Sequence, residues 1–195
     1  MSEIESHFED IVVRSWVNYI KCEKALSRAH AEGDTVEVDE ARKEVVLSAR
    51  SACIEMHQFV DTICAQKADP PAWLPEDVKT LDEIRRAVSG HCRMLRQNEL
   101  CADVDFLHDI ADAFKHSILI RPRKGREHWV KNSKCSVVIA SGFGELRFGE
   151  GKFGGVQQLV VRLDNGQSRA LSSVLQNVID AWRRFMGQEL PDFSE

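Results

Sequence analysis

Two long stretches of apolar residues at helical spacing, separated by little more than Gly33 and Asp34, limit this chain more than any other feature of its sequence. From residue 3 to residue 31, Ile4, Phe8, Ile11, Val12, Trp16, Tyr19, Ile20 and Leu26 recur every three or four positions and fall on one broad helical face. Gly33 is suited to the left-handed conformation that ends a helix, and Asp34 with Glu37 offers a capping box for the next. The spacing then predicts a second helix over Val36 to Gln66, burying Val38, Val45, Ala49, Ala52, Cys53, Met56, Phe59, Val60 and Ile63. Two long helices joined by so short a turn must lie antiparallel, and every later element has to pack around that hairpin.

The prolines at 70, 71 and 75 break the helical pattern, and Pro75 suits the first turn of a third helix with Val78, Leu81, Ile84, Val88, Cys92 and Leu95 as its buried stripe. A fourth helix is expected from about Ala102 to Ile120, with Val104, Leu107, Ile110, Ala111, Phe114 and Ile118 inward. From Cys135 the period changes. Ser136 to Ala140 and Gln158 to Leu163 are short β-branched runs with glycines between them, and Asp164-Asn165-Gly166 supplies a hairpin turn into a third strand near Arg169 to Leu171. Ser173 and Gln176 then read as a capping box for a C-terminal helix whose face is Val174, Leu175, Val178, Ile179, Trp182, Phe185 and Met186. The fold class expected is α+β, predominantly α: an antiparallel bundle of about four helices with a small antiparallel β meander and a C-terminal helix. Residues 1–120 form the bundle, 121–134 a basic loop, and 135–195 the meander and last helix packed back on the bundle, in one domain overall.

At 195 residues, 43% of them hydrophobic, the chain can build a core without disulfides or a structural metal. No apolar run approaches the roughly 20 residues a membrane helix needs. The N-terminus lacks the basic and apolar regions of a secretion signal, so a cytoplasmic location is expected. The six cysteines contain no C-x-x-C pair and read as reduced, mostly buried small hydrophobes. The net charge of −5 opposes general nucleic-acid affinity, but Arg121, Arg123, Lys124, Arg126, Lys131 and Lys134 stand in one segment against the single acid Glu127. Such a loop suits a phosphate or an acidic partner, and equally a solvated linker. Gly149 to Gly154 spells G-x-G-x-x-G, yet a strand rather than a helix follows it, which removes the basis for pyrophosphate binding. Walker, H-E-x-x-H and G-x-S-x-G sequences are absent.

On the second helix Arg50 and His57 form an Arg-x6-His pair, and on the third Arg86 and His91 form an Arg-x4-His pair. Pairs of this kind on a helical domain resemble the HEPN superfamily, whose members include metal-independent ribonucleases of toxin and antiviral systems. The resemblance covers the helical 120 residues and implies that Arg binds the scissile phosphate while His moves a proton during attack by a ribose hydroxyl. The polar residue that often follows the family's Arg is Ser51 in one pair and is replaced by Ala87 in the other. The run Asp109 to His116, followed by Arg121-Pro122, is also similar to a segment of uncharacterised bacterial proteins that end in a hairpin and a Trp-bearing helix. That likeness points to Lys115 and His116 as further phosphate-binding candidates beside Arg121, Arg123, Lys124 and Arg126.

On the fourth helix Asp105, Asp109, Asp112 and His116 fall on one stripe with His108 beside it, the residue types of a metal-activating site on a bundle. That stripe lies opposite Leu107, Ala111 and Phe114 and faces water unless another element covers it. Three readings follow, in this order: a non-catalytic domain that binds a protein partner or itself as a homodimer, a HEPN-like RNA-binding protein or ribonuclease, and a metal-dependent enzyme using Asp105, His108, Asp112 and His116. The first two need no cofactor and no metal.

Overall fold

The computed structural model describes residues 2–33, 35–66, 70–94, 98–116, 129–130, 136–139, 157–163, 166 and 168–190. The first helix runs without a break from Glu3 to Glu32 as α1 (Glu3–His7), a π-helical segment (Phe8–Val13) and α2 (Arg14–Glu32). Its buried residues explain the wider turn. Ile4, Phe8 and Val12 are four apart, a spacing that would rotate by about 40° per step around an α-helix but stays in line when the turn is widened. Beyond it Val12, Tyr19 and Leu26 are seven apart and keep the same face in α-geometry. Ile11, expected inward, is 42% exposed because the π turn places Val12 on the core side instead.

Gly33 adopts φ of 80° and its N–H closes on the Ala29 carbonyl, ending α2 as its lack of a Cβ allows. Asp34 lies outside the described residues. α3 (Thr35–Ala65) packs along α2, and all nine residues expected inward on it are buried. α4 (Leu81–Ser89) is shorter than the sequence suggests and starts later. Pro75, expected in its first turn, lies before it, and Thr80 is the cap: the Thr80 Oγ1 accepts from the Glu83 N–H and the Glu83 carboxylate accepts from the Thr80 N–H. Gly90 ends it, so His91 and Cys92 stand past the helix, and Arg93 pairs with Leu100 in an antiparallel bridge. α5 (Asp103–His116) follows; residues 117–120, the expected end of this helix, lie outside the described residues.

β1 (Ser136–Ile139), β2 (Gln158–Arg162) and β3 (Ser168–Ala170) form a three-stranded antiparallel sheet in sequential order, with Val137 opposite Val160 and Val161 opposite Arg169. The basic residues 121, 123, 124, 126, 131 and 134 and the glycines from 142 to 155 lie outside the described residues. α6 (Leu171–Phe185) starts directly from β3 with Ala170 as its first flanking residue. Ser173 and Gln176 are therefore inside the helix rather than capping it, and Gln176 donates to Asp180 one turn on. The reason is local: Leu171 is buried, and starting the helix there keeps it on the same face as Val174, Leu175 and Val178.

The helices and β2 share one core, in an α+β fold that is predominantly α. Phe59 of α3 stands at its centre, 5.1 Å from the Phe8 ring and 4.8 Å edge-on from Trp182 of α6. Buried polar groups tie the sheet to the hairpin, and the last helix and β3 to α5. Glu23, 3% exposed, accepts from the Tyr19 hydroxyl at 2.8 Å and from the Leu159 backbone N–H of β2 at 3.1 Å. Asp103, at the start of α5, accepts from Asn177 of α6 at 2.7 Å and from Arg169 of β3 at 2.8 Å. No helix among the described residues is long and apolar enough to cross a membrane.

Candidate metal centre

The residues singled out in the sequence stand in unlike surroundings. Arg50 is exposed on α3 while His57, two turns further on, is buried. Arg86 and His91 are both exposed, and the His91 ring rests 5.7 Å from Phe185. The helix-four stripe is divided as well. Asp109 is fully buried and accepts the Trp129 backbone N–H at 2.8 Å, Asp105 is half-buried, and His116 is exposed at the end of α5. The stripe is thus covered at Asp109 by the chain at Trp129 and at Asp112 by α3. Arg121, Arg123, Lys124 and Arg126 lie outside the described residues.

What comes together instead is His57 from α3 with His108 and Asp112 from α5. The two helices pack side by side, and His57 follows Met56 and precedes Val60 on the buried stripe, which carries its ring into the interface. His108 and Asp112 are four apart and so project from one face of α5. The Asp112 carboxylate divides between the rings, with Oδ1 3.4 Å from the His57 Nε2 and Oδ2 3.4 Å from the His108 Nε2. The ring centroids are 4.5 Å apart, and the donor atoms of all three residues lie within 4.8 Å of one another.

A charge-assisted N–H···O bond closes to about 2.8 Å, well inside the observed separation. Ligand atoms about 2.0–2.1 Å from a tetrahedral zinc stand about 3.3 Å apart, which matches it. Burial is the largest influence on His57 and holds its pKa below 6.5, with Asp112 opposing and the charges of Lys115 and Arg85 adding to the depression. The imidazole is therefore neutral at pH 7, the form that binds a metal. Beside it is a cavity of about 20 Å³ lined by His57, His108, Arg85, Val60, Leu107 and Trp182. That is room for a single water or ion.

Arg85 is the residue the sequence reading missed. Its Nη1 reaches Asp82 at 3.2 Å, while its Nε is buried with no hydrogen-bond partner among the described residues. A helical wheel carries the signal: Arg85 stands about 70° from the mean direction of Leu81, Ile84 and Val88, whereas Arg86 stands about 170° away. Lys115 is half-buried near the same site.

No family model, curated protein or solved structure matches the chain. The broad apolar faces that suggested self-association are largely consumed within the chain, since Trp182 is buried and Trp16, Trp73 and Trp129 pack against the core. What α3 leaves exposed is Val36, Val46 and Leu47.

Proposed function

We propose that this chain is a metal-binding helical protein in which His57, His108 and Asp112 hold a zinc-class divalent ion, with Arg85 and Lys115 placed to attract an anionic co-ligand. The observation that carries this reading is the Asp112 carboxylate, with one oxygen 3.4 Å from each imidazole Nε2. Two imidazoles and one carboxylate suit Zn²⁺ and neighbouring first-row ions, and three protein ligands leave a position for water or substrate. A dication would raise the local positive charge already supplied by Arg85 and Lys115, so the fourth ligand is expected to be an anion or a metal-bound hydroxide. The test is titration of the chelator-treated full chain with Zn²⁺, and with Co²⁺ followed by its visible absorption. One equivalent is expected, with affinity lowered more than about tenfold in His57→Ala and in His108→Ala. Undiminished binding in both variants, or none at micromolar metal, would falsify the reading.

A second reading, metal-independent phosphodiester cleavage of the HEPN-like kind, draws on the same two cations. In it Arg85 replaces Arg50 and Arg86 as the phosphate-binding residue, and neutral His57 is the proton acceptor. It ranks lower because the cavity beside His57 has the volume of an ion rather than of a nucleotide. RNA fragments formed in EDTA, lost in His57→Ala and Arg85→Ala, would favour it over the metal centre.

A further inference from the structure

Cys92 and Cys101 are not among the residues of the His57 site and carry chemistry of their own. Cys92 follows the end of α4, Cys101 precedes α5, and residues 92–94 pair with residues 99–101. Arg93 pairs with Leu100, the Met94 N–H donates to the Glu99 carbonyl at 2.8 Å, and the Cys101 N–H donates to the Cys92 carbonyl at 3.2 Å. Cross-strand neighbours in such a pairing have Cα atoms about 4.5–5.5 Å apart, inside the range a disulfide spans. The two sulfurs are already 3.5 Å apart.

The surroundings make the two thiols unequal. Cys92 is fully buried, and its sulfur lies 3.7 Å from the Asn177 carbonyl of α6, to which the thiol donates. Cys101 is half-buried, and the Asn177 side-chain amide donates to its sulfur at 4.0 Å. The hydrogen bond between the sulfurs draws the Cys101 pKa down and pushes that of Cys92 up, so Cys101 is the sulfur that ionises first. Asn177 also donates to Asp103, which joins the pair to the buried link between α5, α6 and β3.

We infer that Cys92 and Cys101 are a redox-active dithiol that closes to an intrachain disulfide on reaction with a small hydroperoxide, Cys101 attacking and Cys92 resolving. In the first step the Cys101 thiolate attacks the terminal peroxide oxygen. The O–O bond breaks, an S–O bond forms, and the alcohol or water leaves with the proton it takes up. In the second step the Cys92 sulfur displaces that oxygen as water, forming the S–S bond. Two thiols lose two electrons to one peroxide, and the products are the disulfide, one alcohol or water, and one water. Closure removes the Cys92 S–H that donates to Asn177, so the redox state is felt at α6.

The experiment is treatment of the reduced full chain with limiting hydrogen peroxide, followed by blocking of remaining thiols and peptide mapping. The expected product has lost two of its six thiols and carries the Cys92–Cys101 linkage. In Cys92→Ser a dimedone-type reagent should trap a sulfenic acid on Cys101, and in Cys101→Ser it should leave Cys92 unlabelled. Circular dichroism checks that both variants are folded, and the map of the unsubstituted chain needs neither. Oxidation that falls first on the half-buried Cys22 or Cys64 while Cys92 and Cys101 stay reduced overturns the inference. So does a trapped sulfenic acid on Cys92.

Discussion

His57 illustrates how burial, aided by neighbouring cations, sets a chemical state. Its pKa is lowered in the folded chain, first by desolvation, while the unfolded chain keeps the ordinary value of 6.5. The unfolded state therefore binds more protons below that value. Stability attributable to His57 is complete above about pH 6.5 and falls as the pH drops toward the folded-state pKa. Urea titrations between about pH 5 and pH 8 should show this loss on the acid side, and His57→Gln should flatten it. Asp103 makes a different point. Removing its carboxylate strands Arg169 and Asn177 in a nearly closed site, and Asp103→Ala is expected to cost about 3 kcal/mol, measured as a lowered denaturation midpoint. Sequence alone gave no reason to prefer Asp103 over the other acids of α5, because its partners come from β3 and α6.

At the scale of elements, α6 closes the core. Trp182 is 2% exposed and lies edge-on to Phe59, so Trp182→Ala is expected to cost about 3–5 kcal/mol, visible in chemical denaturation as an earlier unfolding transition. The long helices were the most legible elements: the stripe from Val38 to Ile63 repeats often enough that local signals cannot shift its register. Short elements were less so. The pattern from Val78 to Leu95 continued on paper past Gly90, where the chain turns out of the helix, and Ser173 with Gln176 mimicked a start that burial of Leu171 had already set two residues earlier.

For the molecule as a whole, a metal joining α3 to α5 would link the helical hairpin to the elements packed on it. A ligand bound only by the folded chain at one hundred times its dissociation constant adds about 2.7 kcal/mol to stability. For a chain of this size that is a rise in Tm of about 5–10 °C. Zinc added to the chelator-treated protein should produce such a rise in a thermal melt, and His108→Ala should abolish it; an equal shift in both would place the metal elsewhere.

Periodicity, turn chemistry and composition determined the antiparallel hairpin, the α+β class, the meander and the apolar face of the last helix, because each depends on residues close together in the chain. His57, His108, Asp112, Arg85, Cys92 and Cys101 were all visible as residue types, and several were singled out. Their grouping was decided only by tertiary structure. His57 meets Asp112 across 54 intervening residues because α3 and α5 bury their stripes against each other. Arg85 rather than Arg86 reaches the site because α4 turns its Ile84–Val88 stripe inward. Cys92 faces Cys101 because Gly90 ends the helix that the apolar pattern would have continued. Contacts of that range follow from how helices are stacked, which no local spacing encodes.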